Sequence, residues 1–421
     1  MATPSVSLWR HPDFLKLWAG QAVSQLGSQI TFLALPLVAI VTLGASPAQM
    51  GILTALGAVP PLLIGLHAGV AVDRRRRQPL LIGSDLGRAL LLALIPLAWA
   101  FDALSIGLLY LVAFLSGALS LIFGLAYQAF LPALVRRDQL VDGNSKLELS
   151  NTAAEVAGPS LAGILVQLLS APIAIAADAL SFLASAFILA RIRVVERVPK
   201  RGGERPTFLT DIRQGLFAAL SDARLQALIG SGSIIAFFNA MLETVFLLYI
   251  VDVLGIDAAM VGLSFSIGSV GFIAGAFLPT RLARRLGVGP SMALAVAVVA
   301  LSDLLLPLAG GTPLVIMGFI ITGQFFFGLG LTVFNVNQSS LRQALVPPEL
   351  RGRVGAVVRI LPDALTPLGA ITGGMLGTTF GLRETLILAA LGELLAAVWL
   401  WYSPIRSVDE LPAEAELEPA A

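Results

Sequence analysis

Between Leu17 and Val72 the chain carries no Asp, Glu, Lys or Arg, a run of 56 residues. Crossing the ~30 Å hydrocarbon layer of a bilayer takes ~20 predominantly apolar residues, because a helix rises ~1.5 Å per residue. The run is long enough for two crossings and the turn between them. Further charge-free stretches cover Ala103–Val135, Val156–Ala177, Ala258–Thr280 and Leu304–Leu341. Charged residues make up 13% of the 421, about half the ~25% of a soluble domain. The expected fold class is an all-α, polytopic membrane protein. Soluble α/β enzymes, disulfide scaffolds and disordered chains are excluded.

The missing residue types narrow the chemistry. There is no cysteine, and the two histidines, His11 and His67, stand far apart. Disulfides, thiolate nucleophiles and Cys- or His-based metal sites are therefore not expected. The three lysines, Lys16, Lys146 and Lys200, lie outside any G-x-x-x-x-G-K-[ST] context, so no phosphate-cradling loop is encoded. No catalytic constellation, metal, cofactor or nucleic-acid partner is called for. Any pumping must draw on an ion gradient or on another subunit.

Charge clusters and Gly/Pro turns divide the apolar sequence into twelve predicted spans. They lie near residues 14–43, 49–72, 79–101, 104–130, 147–169, 172–190, 225–251, 259–280, 289–309, 313–339, 354–380 and 384–402. Basic residues accumulate on the cytoplasmic side of a membrane. Arg74–Arg77, Arg136 with Arg137 and Lys146, Arg191–Arg224, Arg281 with Arg284 and Arg285, and Arg342 with Arg351 and Arg353 fall in alternate loops. The intervening loops carry essentially one basic residue, Arg383. That alternation predicts an even span count with both termini cytoplasmic, in a multi-pass inner (cytoplasmic) membrane protein. The first span is too long for a cleavable signal peptide and lacks a small-residue cleavage site. The expected organisation is a six-helix bundle at 1–191, a cytoplasmic linker at 192–224, a second bundle at 225–405 and a disordered acidic tail at 406–421. Within the linker, Phe208, Leu209, Ile212, Leu216 and Leu220 recur at helical spacing, the pattern of an amphipathic surface helix.

The two halves repeat each other. Gly65-x-x-x-Gly69 matches Gly271-x-x-x-Gly275 at an offset of 206. Ala133-Leu-Val-x-x-Asp138 matches Ala344-Leu-Val-x-x-Glu349 at 211, and Glu155-x-x-x-Pro159 matches Asp363-x-x-x-Pro367 at 208. GxxxG alone mostly means close helix packing, but three matches in one order point to duplication. Two parallel six-helix repeats place a substrate path near the bilayer midplane. That is a transporter's architecture.

Against this background, Gly69-Val-Ala-Val-Asp73-Arg74-Arg-Arg-Arg77 resembles the loop 2–3 signature G-x-x-x-D-R-x-G-R of the major facilitator superfamily. Phe14-Leu-x-Leu-Trp18-x-Gly20-Gln21, Ser24-Gln-Leu-Gly27, Ala34-Leu-Pro36-Leu and Gln343-Ala-Leu-Val-Pro347-Pro-Glu349-Leu-Arg351-Gly352-Arg353-Val are similar to one subgroup. That subgroup holds macrolide-efflux and enterobactin-exporter-like drug:proton antiporters. The resemblance covers residues 8–405. It departs at Arg76, where the signature has glycine, and at Thr280-Arg281, where the first half has Asp73-Arg74. Ser28 stands where many subgroup members have an acidic residue.

The resemblance implies a gate built from Gly69, Asp73, Arg74 and Arg77, with Asp73 capping the start of the eleventh span in the outward-facing state. Asp85 and Arg88, at i, i+3 on the third span, share a face and are expected to form a structural or gating ion pair. Intramembrane carboxylates are costly and are retained for function or pairing. The resemblance makes the third, sixth, ninth and twelfth spans peripheral, which assigns Asp178, Asp303 and Glu393 to packing or helix capping. It leaves Glu155, Glu243 and Asp363 as proton-coupling candidates, with Arg359 one turn from Asp363. Gln21, Gln25 and Gln29 form a stripe at i+4 spacing. With Tyr127, Gln128, Asn239, Gln324, Asn335 and Gln338 they are the cavity candidates, among aromatic Phe237, Phe238 and Phe325–Phe327. Helix–helix hydrogen bonding is the competing reading of those amides. Gly158, Pro159 and Pro367 are expected to break or bend the fifth and eleventh spans.

These residues together suggest a proton-coupled exporter of a hydrophobic or amphipathic small molecule: a drug, macrolide-like product or siderophore. Its partners are that solute, protons and membrane lipid, and a monomer is expected. A lipid or lysolipid flippase on the same fold is the alternative. A membrane-embedded enzyme or sensor lacks, respectively, a catalytic constellation and a signalling domain. Export, as opposed to import, rests on the resemblance alone.

Overall fold

The computed structural model describes residues 8–194, 196 and 208–409, with the side chains of Leu66, Val70, Asp73 and residues 208–213 outside the description. Twelve stretches among these residues are long and apolar enough to cross a membrane, in agreement with the span count. The first six are α1 (Pro12–Leu37), α2 (Pro47–Asp73), α3 (Arg77–Ala100), α4 (Ile106–Leu134), α5 (Leu140–Leu169) and α6 (Ala171–Ala190). A linker helix, α7 (Phe208–Ser221), precedes α8 (Ala223–Leu248). The eighth span is α9 (Ala258–Gly268) with α10 (Val270–Ala276), followed by the short α11 (Pro279–Leu286). The ninth is α12 (Val288–Asp303) with α13 (Leu305–Leu308), and the tenth is α14 (Pro313–Leu345). The eleventh is α15 (Arg351–Asp363) with α16 (Thr366–Thr379), and the last is α17 (Leu382–Tyr402).

Local chemistry sets the helix ends. His11 Nδ1 accepts from Phe14 N–H at 3.1 Å, with Pro12 opening α1; a side-chain acceptor there satisfies one of the four free amides of a first turn. Single left-handed residues turn the chain between adjacent helices at Ser170 (φ 95°) and Gly381 (φ 104°), positions related by the repeat. Glycine tolerates that backbone without strain and serine does not. The repeat also shows where composition is silent: α1 and α8 both run into a π-helical turn, Val38–Thr42 and Tyr249–Val253.

Two boundaries differ from expectation and a third meets it. α5 begins at Leu140, seven residues before its predicted start, because its first turns are amphipathic, with Lys146 paired to Asp142. Pro159 does not break α5, which runs unbroken through Gly158 and Pro159; helices in membranes tolerate proline where neighbours satisfy the freed groups. The eleventh span, predicted as one crossing over 354–380, is interrupted at Ala364–Leu365, just before Pro367, which breaks it as expected and sits in the first turn of α16.

The chain divides into two compact units. One comprises Met1–Ala45, Leu56–Gly202 and Asp257–Ser266, the other Ser46–Ala55, Gly203–Ile256 and Ile267–Ala421. In the first, Phe14, Leu17, Leu81, Phe123, Phe130 and Leu189 centre the core. In the second, Leu228, Met292, Val333, Leu341, Val354 and Leu400 do so. Large apolar side chains such as Leu90, Leu168 and Leu314 point outward, as suits surfaces solvated by lipid. In the linker helix, Gln214 accepts from Arg353 Nη1 at 2.5 Å and Gly215 lies against the Arg353 backbone. The helix is thus docked on α15, while Phe217 and Leu220 remain exposed. At its end Asp222 caps α8 through Arg224 N–H at 2.7 Å. Partial burial pushes that carboxyl up, but the bonds from Arg224 outweigh it and hold it below the usual carboxylate range.

Candidate functional site

The first unit holds a buried charged network. Asp85 on α3 pairs with Arg88 one turn on, as the i, i+3 spacing predicts. The guanidinium also attracts Asp178 on α6 and lies over the rings of Phe123 and Phe182, 4.5 and 4.0 Å from their centroids. Cation–π contacts of this kind strengthen when water is excluded. Asp178 accepts from Thr31 Oγ1 of α1 at 2.5 Å and from Ser181 Oγ at 2.9 Å. A Cβ at Gly27 would lie 2.1 Å from Ser181 Oγ and 2.4 Å from Asp178 Oδ1, so the glycine admits α6 to α1. Asp178 therefore caps nothing; it stands mid-helix as the second anion around Arg88.

The second unit repeats the layout with different charges. Asn239 on α8, 208 positions after Thr31, lies against Glu393 on α17. Glu393 meets the carboxyl of Asp303, the last residue of α12. Both acids are buried, and neither caps a helix N-terminus. The capping role expected for them is not formed.

The remaining acids differ. Glu155 and Glu243 are exposed in mid-helix, on α5 and α8. Asp363 ends α15 and reaches Arg359 Nε at 3.7 Å, with both side chains mostly exposed. An ion pair so open contributes only ~0–1 kcal/mol. Arg359→Ala is accordingly expected to leave the melting profile of the purified protein unchanged; a drop of several degrees would show that the pair is held more tightly than this geometry implies.

The amide stripe on α1 is not uniform. Gln21 is buried with no partner on Oε1 among the described residues, whereas Gln29 is packed against Gly158 of α5, whose Cβ would lie 2.3 Å from it. Gly158 is thus a close-packing position. Gln25 is half-buried, as are Gln338 and Asn239. Gln128 and Asn335 are exposed. Tyr127 stacks on Phe123 at 6.0 Å and its hydroxyl has no partner among the described residues. Gln324 on α14 lines a small cavity with Asp303, Phe246 and Phe319. The sequence missed Asn337, which is buried and donates to Ser291 Oγ at 3.2 Å; it lies off the face that periodicity singles out.

At the gate, Gly69 ends nearer the loop than Gly65 in the last turns of α2, and the Asp73 side chain lies outside the described residues. Arg74 is exposed and Arg77 opens α3. Arg76, the departure from the glycine signature, adopts φ −66° and ψ 135°, an extended backbone open to any residue. A second acid emerges here. Glu196 accepts from the backbone N–H groups of Arg77 and Gln78 at 2.6 and 2.8 Å, and so occupies the positive N-terminus of α3. Gln78 Nε2 in turn donates to the carbonyls of Leu189 and Ile192. An acid in a linker gives no signal in the sequence for such a role.

The chain is 23% identical to macrolide efflux protein A of Streptococcus pyogenes over 94% of its own length and 97% of that protein's. It is 26% identical to multidrug efflux pump Tap of Mycolicibacterium fortuitum, over 95% and 98%. Its fold matches a bacterial homologue of the iron transporter ferroportin in an inward-facing state, with TM-score 0.74 and 18% identity over 96% of this chain and 100% of that one. It likewise matches the nucleoside transporter NupG, with TM-score 0.76 and 14% identity over 92% and 98%. A family model described as Major Facilitator Superfamily matches residues 17–363. With twelve apolar spans in the fold of known transporters and most of its length under that match, the chain belongs to the Major Facilitator Superfamily.

Proposed function

We propose that the protein is a proton-coupled exporter of a hydrophobic or amphipathic small molecule, working by alternating access of its 1–191 and 225–405 halves. It sits in the cytoplasmic membrane with both termini in the cytoplasm, as a monomer, and performs no chemistry on its solute. The observation that carries the reading is Glu243, an exposed carboxylate in the middle of an otherwise apolar spanning helix. Such a group is retained at a cost unless it meets water along a transport path. Glu155 supports it from α5, and the efflux names of two relatives support the direction. Gln25, Asn239, Gln324, Asn335 and Gln338, with Gln21, Tyr127 and Gln128, give a solute few polar contacts among aromatic walls, as amphipathic ligands require. Gly69, Asp73, Arg74 and Arg77 form the gate, and Asp363 is a third, subsidiary proton-coupling candidate.

The test is accumulation of amphipathic cations and macrolides in proteoliposomes under an imposed pH gradient. Uptake should collapse with a protonophore and fall at least tenfold in Glu243→Gln, with Glu155→Gln showing a smaller loss. If both variants keep gradient-driven transport at the original rate, these acids do not couple protons. Transport of lysolipid that ignores the gradient would replace the reading by that of a flippase.

A further inference from the structure

We infer that Asp303 and Glu393 form a proton-binding site inside the second unit, with one proton held between the two carboxylates. Both side chains are buried, Glu393 completely, and they act on each other across the packed helices α12 and α17. Two adjacent carboxylates out of water cannot both be ionised, because their repulsion adds to the loss of hydration. One must carry a proton and donate it to the other. The Asn239 amide lies against Glu393, yet neither Glu393 oxygen nor Asp303 Oδ2 accepts a hydrogen bond of ordinary geometry. A shared proton would satisfy one orphaned oxygen on each side.

Among the described residues the cations of neighbouring elements lie toward helix ends, Arg281, Arg284 and Arg285 on α11 and Arg406 just beyond α17 among them. On α8, Glu243 stands one turn beyond Asn239, and Arg224 lies at the far end of the helix. The only charge on α14 is Arg342, in its last turn, and α13 and α16 carry none. On α17 itself, Arg383 donates to the Pro307 carbonyl at 2.8 Å, and Glu384 adjoins it in the first turn. The contrast with the first unit is informative. There the corresponding position between the third and sixth spans holds two carboxylates around Arg88, so a fixed cation offsets one of them. In the second unit the charge must come from a proton, which can leave.

A small cavity adjoins Asp303. Asp303, Gln324, Ser302 and Phe319 line a cavity of about 10 Å³, room for about one water. A water there, bonded to Asp303 and to the Gln324 amide, would be the acceptor when the pair releases its proton. The binding itself stands apart from the exporter reading; only its use in coupling rests on that reading.

The experiment is infrared difference spectroscopy of the purified protein through a pH titration in sodium-free buffer. The wild type should show the carbonyl stretch of a protonated carboxyl that persists above the pH at which exposed carboxylates have ionised. Asp303→Asn with Glu393→Gln, a neutral pair of similar shape, should remove that band. Each single variant should move its titration midpoint by at least one pH unit, which also serves if the double variant fails to fold. An unchanged band in the double variant, or unmoved midpoints in both singles, would overturn the assignment. So would loss of the band on adding sodium at fixed pH, which would mark a metal-cation site. Failure of the wild type to transport under any pH gradient would sink the exporter reading and leave the band to decide this site.

Discussion

Arg88→Met should abolish most of the folded protein, with a loss equivalent to about 3–5 kcal/mol, the range for removing one member of a buried ion pair. The arginine is the sole cation of the network among the described residues. Without it, Asp85 and Asp178, both essentially inaccessible to solvent, face each other with hydroxyls alone to solvate them, Thr31 and Ser181 at Asp178 and Ser185 at Asp85. The Phe123 and Phe182 rings also lose the guanidinium between them. Arg88→Lys should recover only part of the loss, since an ammonium is a compact, strongly hydrated charge without the planar face that stacks on aromatic rings. Adding Asp85→Asn to Arg88→Met should restore much more, because neutralising both sides of a buried pair is often near neutral. The measurement is the monodisperse fraction surviving a temperature series in detergent, for both single variants and the double, so that the coupling term is isolated. If Arg88→Met melts with the wild type, the network is not structural and the pair belongs to the gate alone.

How much of this was legible beforehand follows from what constrains each feature. The span count was legible because lipid leaves a backbone no choice but a helix, so charge-free length translates directly into crossings. Asp85 with Arg88 was legible because i, i+3 spacing fixes a shared face whatever the surroundings. For Asp178, Asp303 and Glu393 the packing role was legible but not the partners, because each partner lies some 90 residues or more away in sequence. Glu196 was invisible for the same reason, its partners being backbone amides that carry no sequence identity. The mid-span break at Leu304 falls one residue after Asp303, whose carbonyl is the i−4 partner that Pro307 cannot bond, whereas the break at Ser269 has no proline beside it and is set by the packing of neighbouring helices. The Gly158 contact with Gln29 shows a further limit: a glycine beside a proline looks like a hinge whether it permits bending or close approach.

Gly271→Ala should be among the most damaging single-methyl substitutions in the chain, while Gly69→Ala, in the matching pair of the first half, should be tolerated. The motif gives the two GxxxG pairs equal standing, but their surroundings differ. A Cβ on Gly271 would lie 1.9 Å from the Phe325 carbonyl oxygen, and one on Gly275 2.7 Å from that of Leu329, both on the backbone of α14. Backbone cannot swing aside as a long side chain can, so α10 and α14 must separate. Overpacking of this kind costs ~1–3 kcal/mol and sometimes more, and here the upper end applies because close approach is itself what holds helices together in lipid. A Cβ on Gly69 meets nothing within 4 Å, and one on Gly65 only Leu121 Cδ2 at 3.9 Å. Alanine at 69 should even raise helix stability by ~0.5–1 kcal/mol. Thermal unfolding of the two purified variants beside the wild type decides the matter. Equal melting temperatures for Gly271→Ala and Gly69→Ala would mean that α10 and α14 are held apart by more than this contact suggests. If instead Gly69→Ala keeps its stability but loses transport, the open space around Gly69 is room that the gate needs when it moves.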